Sequence, residues 1–144
     1  MNKEATVNIK KLSFQLLVGD LQRSIDFYTK KLGFDLDFVY EDFYAGIGKN
    51  GFSIHLKCAT PAPEERENKR SHIHLDIIIS TEDIDALYET MLNQSIDIVQ
   101  PLCDQPYGRE FYIADPDGYI IALLAEKWLG GSPLSVPHST VVMI

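Results

Sequence analysis

Nothing in these 144 residues looks built to span a membrane, grip nucleic acid or fold around disulfides. There are only two cysteines, Cys58 and Cys103, far apart and in no CxxC pair. That argues against a zinc knuckle and a disulfide framework, and buried thiols remain the plain reading. No apolar run approaches the ~20 residues that cross a bilayer, so no membrane partner is expected. Basic residues are scarce: 13 Lys and Arg stand against 21 Asp and Glu, a net charge of −8. Such a chain repels phosphate backbones and anionic lipid, so nucleic acid is not expected as a partner. A cationic ligand is compatible with it. The start, MNKEATVNIKK, has no apolar signal-peptide core, and a cytoplasmic location is the expectation. No GxSxG elbow, Cys-His arrangement or phosphate-cradling glycine loop is present, and Gly46, Gly48 and Gly51 fit strand and turn geometry.

What is present is a repeated pattern. Residues 109–119, REFYIADPDGY, read as a strand, a tight turn and the start of another strand. Pro116 presets φ, Asp115 and Asp117 can bond their own backbone, and Gly118 tolerates positive φ. Earlier, residues 11–18 are strand-like, Asp20 offers an N-cap, and Leu21, Ile25, Tyr28 and Leu32 recur on one helical face up to Gly33. Residues 34–40 and 43–48 read as strands, and Asn50-Gly51 is a hairpin signal before the alternating FSIHLKC of residues 52–58. Residues 59–70 carry two prolines and many charges without apolar periodicity, and read as a linker. The pattern then repeats: a strand at 71–79, a helix whose Ser80 and Asp83 are spaced as a capping box, and strands at 96–102, 109–114 and 119–125.

The expected fold class is therefore α+β: two βαβββ modules whose curled mixed sheets surround a cavity. Module one spans 8–60, the linker 59–70 and module two 71–126, within a single domain over 8–126. Residues 127–144 form a C-terminal tail, expected either to reach across to a partner subunit, where 141–144 would cover apolar surface, or to end in disorder.

Three segments carry a family resemblance: residues 18–34, residues 83–91 (DIDALYETM) and residues 107–124 (YGREFYIADPDGYIIALL). Together they resemble the vicinal oxygen chelate superfamily of glyoxalases, bleomycin resistance proteins and extradiol dioxygenases. The run Gly108-Arg109-Glu110-Phe111 is especially similar to the bleomycin resistance group, although Tyr107 stands where a tryptophan is common there. Enzymatic relatives hold a divalent ion with His and Glu from the first, fourth, fifth and eighth strands, and the ion acts as a Lewis acid. The resemblance sets Ser13, His55 and Ala122 at three of those positions and either His74 or Asp76 at the fourth. Serine is a poor ligand and alanine is none, which points away from an enzyme of that kind. The implied protein is a metal-independent small-molecule binder, with no cofactor, working as a homodimer. The alternative is a metal-dependent lyase, isomerase or dioxygenase holding Zn, Ni, Mn or Fe through His55, His74 and Asp76.

Strand alternation names the expected ligand contacts: Ser13, Gln15, His55, Lys57, His74, Asp76, Glu110 and Tyr112. His55, His72 and His74 are expected to line the cavity. Tyr112 is expected as a stacking wall for a flat ligand, and Asp76 and Glu110 as the attraction for a cation. Lys57 is placed to pair with Asp76 or Glu110, or to extend to solvent.

Overall fold

The structure is a computed structural model that describes residues 5–60 and 63–127. Trp128 and the remainder of the expected tail lie outside the described residues. The chain divides into two compact units, Met1–Pro61 and Ala62–Ile144.

The first unit contains β1 (Ser13–Val18), α1 (Leu21–Asp26), β2 (Asp35–Tyr40), β3 (Tyr44–Lys49) and β4 (Phe52–Cys58). Its sheet has the order β1-β4-β3-β2, with β1 parallel to β4 and the other pairs antiparallel. The Asp20 carboxylate caps α1 by accepting the Arg23 N–H at 3.0 Å. The helix runs on through a π-helical turn, Phe27–Lys31, and Gly33 ends it at φ +82°. One sheet face carries Leu16, Val18, Ala45, Ile47, Ile54 and Leu56, all buried, as are Leu21, Ile25 and Tyr28 of the helix. Each fully buried aliphatic or aromatic side chain contributes about 1.5–3 kcal/mol by leaving water. This burial fixes β1 and β4 in register: a slip of one residue would turn the apolar set to the other face.

The second unit contains α2 (Pro63–Ser71), β5 (Leu75–Ser80), α3 (Ile84–Asn93), β6 (Asp97–Gln105), β7 (Gly108–Ala114) and β8 (Ile120–Glu126). Its order, β5-β8-β7-β6, repeats that of the first sheet strand for strand. The Tyr88 ring of α3 meets Phe111 edge-on at 4.9 Å, and Phe111, Ile113, Ile121 and Leu123 are buried. The turn between β7 and β8 forms as its residues dictate. Asp115 Oδ1 accepts the N–H groups of Asp117 at 2.9 Å and Tyr119 at 3.0 Å, and Gly118 sits at φ +93°.

Three expectations are corrected. Most of the expected linker is helix: Pro63 opens α2, Glu64 and Glu65 occupy its first turn, and Lys69 and Arg70 its last. Those charges suit the helix dipole, and the helix lacks an apolar stripe because it buries none of its residues. The fifth strand begins at Leu75, not at residue 71, so His72 and His74 precede it. The capping box does not form. Asp83 lies at φ +51° without a capping bond, and the Ser80 hydroxyl, still on β5, donates to Glu126 at 3.2 Å.

Candidate functional site

In the first unit, strand register sets Gln15, His55 and Gly46 side by side, with Leu17, Lys57 and Tyr44 in the next row and Ser13, Ser53 and Gly48 in the row before. These residues occupy the sheet face opposite α1, because Leu16, Ile54 and Leu56 turn to the helix. Gly46 is required there. A Cβ at this position would lie 2.1 Å from the Phe38 ring, which rests on the bare backbone. Phe38 stands beside Tyr44, nearly parallel with centroids 6.2 Å apart, and meets His55 edge-on at 5.3 Å.

The Tyr44 hydroxyl donates to Gln15 Oε1 at 3.0 Å and lies 2.9 Å from His55 Nδ1. The Tyr44 hydroxyl therefore ties Gln15 and His55 together across this sheet face. Phe38, Tyr44 and His55 make a polarisable wall with one hydrogen-bonding nitrogen. Toward the start of β4, a cavity of about 290 Å³ is bordered by Asp35, Asp37, Gly48 and Ser53. The Ser53 hydroxyl there is buried without a partner. Lys57 is exposed at the opposite end of β4.

In the second unit, the face opposite α3 carries a compact polar group. Glu110 is buried, and its two oxygens accept the hydroxyls of Tyr107 and Tyr112, each at 2.8 Å. Among the described residues no lysine or arginine pairs with it. Burial and the Glu110 carboxylate push the Tyr107 phenol up to about 12, and the same causes raise Tyr112 further. Cys103 lies opposite Glu110 on β6 and accepts the side-chain amides of Gln100 and Gln105. Tyr112, Ala114, Ile120 and Ala122 form the apolar part of this face.

The expected residues are thus sorted. Gln15 and His55 are joined through Tyr44, and Ser13 and Lys57 share their sheet face. Glu110 and Tyr112 are in direct contact. Tyr112, at 9% exposure, has its ring buried rather than offered as a stacking wall. Asp76 has two partners within its own unit. Its carboxylate takes the Lys69 ammonium at 2.5 Å and the Ile120 N–H at 2.9 Å, where a bulge in β5 turns it toward β8. Neither acid pairs with Lys57: Asp76 has Lys69, and Glu110 has the two phenols. His74 is exposed, with Nε2 4.0 Å from Asp76, and His72 bonds back to the Asn68 carbonyl through Nδ1. Among the described residues no three His, Cys, Asp or Glu side chains are grouped as a metal ion needs.

Phe38, Tyr44 and Tyr107 escape the sequence reading. Tyr44 shares the parity of Gly46 and Gly48 on β3, which is a usable signal once that strand's inward face is known. Phe38 follows a register shift in β2, and no simple alternation reaches it.

A repeated four-stranded mixed sheet with one helix on its covered face defines a repeated-module fold, and the open faces carry the polar groups described above. The chain belongs to the Glyoxalase/Bleomycin resistance protein/Dioxygenase superfamily, whose model matches residues 11–123. It is 31% identical over 125 residues to a bleomycin resistance protein of Geobacillus stearothermophilus, covering 77% of this chain and 92% of that one. A bleomycin resistance protein of Staphylococcus aureus matches to the same extent. Among solved structures, an antibiotic binding protein from a Streptomyces species superposes with a TM-score of 0.64 at 21% identity, covering 85% of this chain and all of that one. The bleomycin-binding protein of Streptomyces verticillus, solved with copper(II)-bleomycin, gives 0.59 at 22% identity with the same coverage. These two structural likenesses speak to fold. Among the described residues no helix is long and apolar enough to cross a membrane.

Proposed function

We propose that this protein binds a small organic molecule without a resident metal ion, holding a flat portion of it against Phe38, Tyr44 and His55. The observation that carries this reading is the aromatic wall itself: Phe38 lies on the bare backbone of Gly46, beside Tyr44 and edge-on to His55. Such a surface gains from stacking and offers one directional bond. The net charge of −8 favours a cationic ligand. The printed names of the bleomycin resistance relatives agree in kind.

Metal independence rests on the donor set. Ala122 has no donor, Ser13 is a weak one, and both oxygens of Asp76 are already engaged. A cytoplasmic homodimer completes the proposal. All six residues of β2 are exposed, and Phe14 and Phe52 are 63% and 74% exposed, more apolar surface than one small chain ordinarily leaves open.

Calorimetry with bleomycin and with a neutral aromatic compound tests the reading. Bleomycin should bind more weakly as salt rises, and Phe38→Ala or His55→Ala should lower its affinity about tenfold. No heat with either compound, or affinity indifferent to both substitutions, overturns it. A stoichiometric divalent ion that is lost in His55→Ala would overturn the metal-free part.

A further inference from the structure

Helix α2 is held to its own unit in an unusual way. It buries none of its nine residues, so no apolar stripe docks it. Instead three cations within one and a half turns reach three separate carboxylates. Arg66 donates through Nε to the Asp117 carbonyl at 2.9 Å, with its carboxylate at 4.0 Å. Lys69 holds Asp76 at 2.5 Å, and Arg70 forks onto both oxygens of Asp97 at 2.7 and 3.0 Å. Spacings of three and four residues set Arg66, Lys69 and Arg70 on one helical face. Their targets lie on the β7–β8 turn, on β5 and at the start of β6. The Arg66 stem crosses the turn at Gly118, where a Cβ would lie 2.2 Å from its Cγ. Between the helix and the sheet is a cavity of about 260 Å³, walled by Arg66 and Arg70 on one side and by Ala114 and Ile120 on the other.

We propose that α2 is an ionic strap, fastened by Arg66, Lys69 and Arg70 and loosened by salt, that governs entry to the apolar Ala114–Ile120 end of the sheet face opposite α3. Two physical facts make such a strap separable from the rest of the unit. The guanidinium groups of Arg66 and Arg70 are half-exposed, and their pairs are screened once the Debye length falls from ~10 Å at 0.1 M salt to ~3 Å at 1 M, whereas the more buried Lys69–Asp76 pair is screened less. A nine-residue helix is shorter than the ~12–15 residues that hold helix in water, so undocking and unwinding of α2 coincide. The strands of the sheet, held by buried apolar residues, do not share this sensitivity. Asp76 is the central fastening. It takes Lys69 on one oxygen and the Ile120 N–H on the other, so β8 keeps its own bond to Asp76 when the helix leaves. The proposal rests on the second unit alone and stands whether or not the aromatic wall binds a ligand.

Hydrogen exchange on the full chain at ~0.02 M and ~1 M sodium chloride tests it. Amides of α2 should exchange about tenfold faster at high salt while those of β7 and β8 keep their protection. Arg70→Asp should open α2 at low salt, and adding Asp97→Arg should close it again, a rescue that a merely misfolded variant would not show. Anilinonaphthalene sulfonate fluorescence should rise whenever α2 opens, because the dye reaches the Ala114–Ile120 cluster. Salt-independent exchange of α2, loss of its protection only together with β7 and β8, or failure of the charge swap would overturn the strap. Dye signal that stays flat while α2 opens would overturn its control of entry.

Discussion

A single hydroxyl decides how His55 presents itself. Tyr44 bonds both Gln15 and His55 Nδ1 and so holds the imidazole in place, and the same tyrosine supplies one ring of the aromatic wall. In the other unit, Glu110 shows the converse: two phenols satisfy one buried carboxylate, and their own ionisation is suppressed. For Tyr107 the sign is set by a folded value near 12 against ~10 in an unfolded chain. The stabilisation is complete below about pH 10 and is lost as pH rises through about 12. Alkaline titration followed by phenolate absorbance should therefore show Tyr107 and Tyr112 ionising late. In Glu110→Gln both should shift back toward ordinary values, and unchanged late titration would sink the assignment. His55 and Glu110 were legible from alternation along β4 and β7. The pairing of Asp76 with Lys69 and Ile120 was not legible, because a register shift breaks alternation in β5 and nothing in the local sequence announces it.

Among elements, β2 and β3 depend on Gly46 and α2 depends on charge. Gly46→Ala pushes a methyl group into the Phe38 ring, which must leave its place over the sheet. That ring is 39% exposed and can swing aside, so stability in denaturant unfolding should change little while whatever binding the aromatic wall provides is lost. A variant that keeps the parent's affinity would show that Phe38 does not rest there. Both βαβββ repeats were visible in sequence because their buried faces follow periods of two and 3.6 residues. The α2 helix was hidden for the same reason in reverse: amphipathic patterning reports burial, and a helix docked through Arg66, Lys69 and Arg70 buries nothing.

For the whole molecule, the exposed apolar side chains of β2, with Phe14 and Phe52, call for cover, and the proposed occupant is a second copy of the chain. Native mass spectrometry should find twice the 16.3 kDa chain mass, and Phe14→Ser with Phe52→Ser should shift the population toward monomer. A monomer at micromolar concentration in the parent protein would remove the dimer from the proposal.

By itself the sequence determined the repeated strand and helix order, the capped first helix, the Asp-Pro-Asp-Gly turn and the sheet sides of His55 and Glu110. Those features depend on local conformational preference and on the period of apolar burial, both written in consecutive residues. Only tertiary structure decided that Tyr44 orients His55, that Phe38 lies on Gly46, that Lys69 occupies Asp76 and that a charged segment is a docked helix. Each of these is a contact between side chains brought together by strand register, by a bulge or by long-range charge pairing, and none of those leaves a periodic trace in the chain.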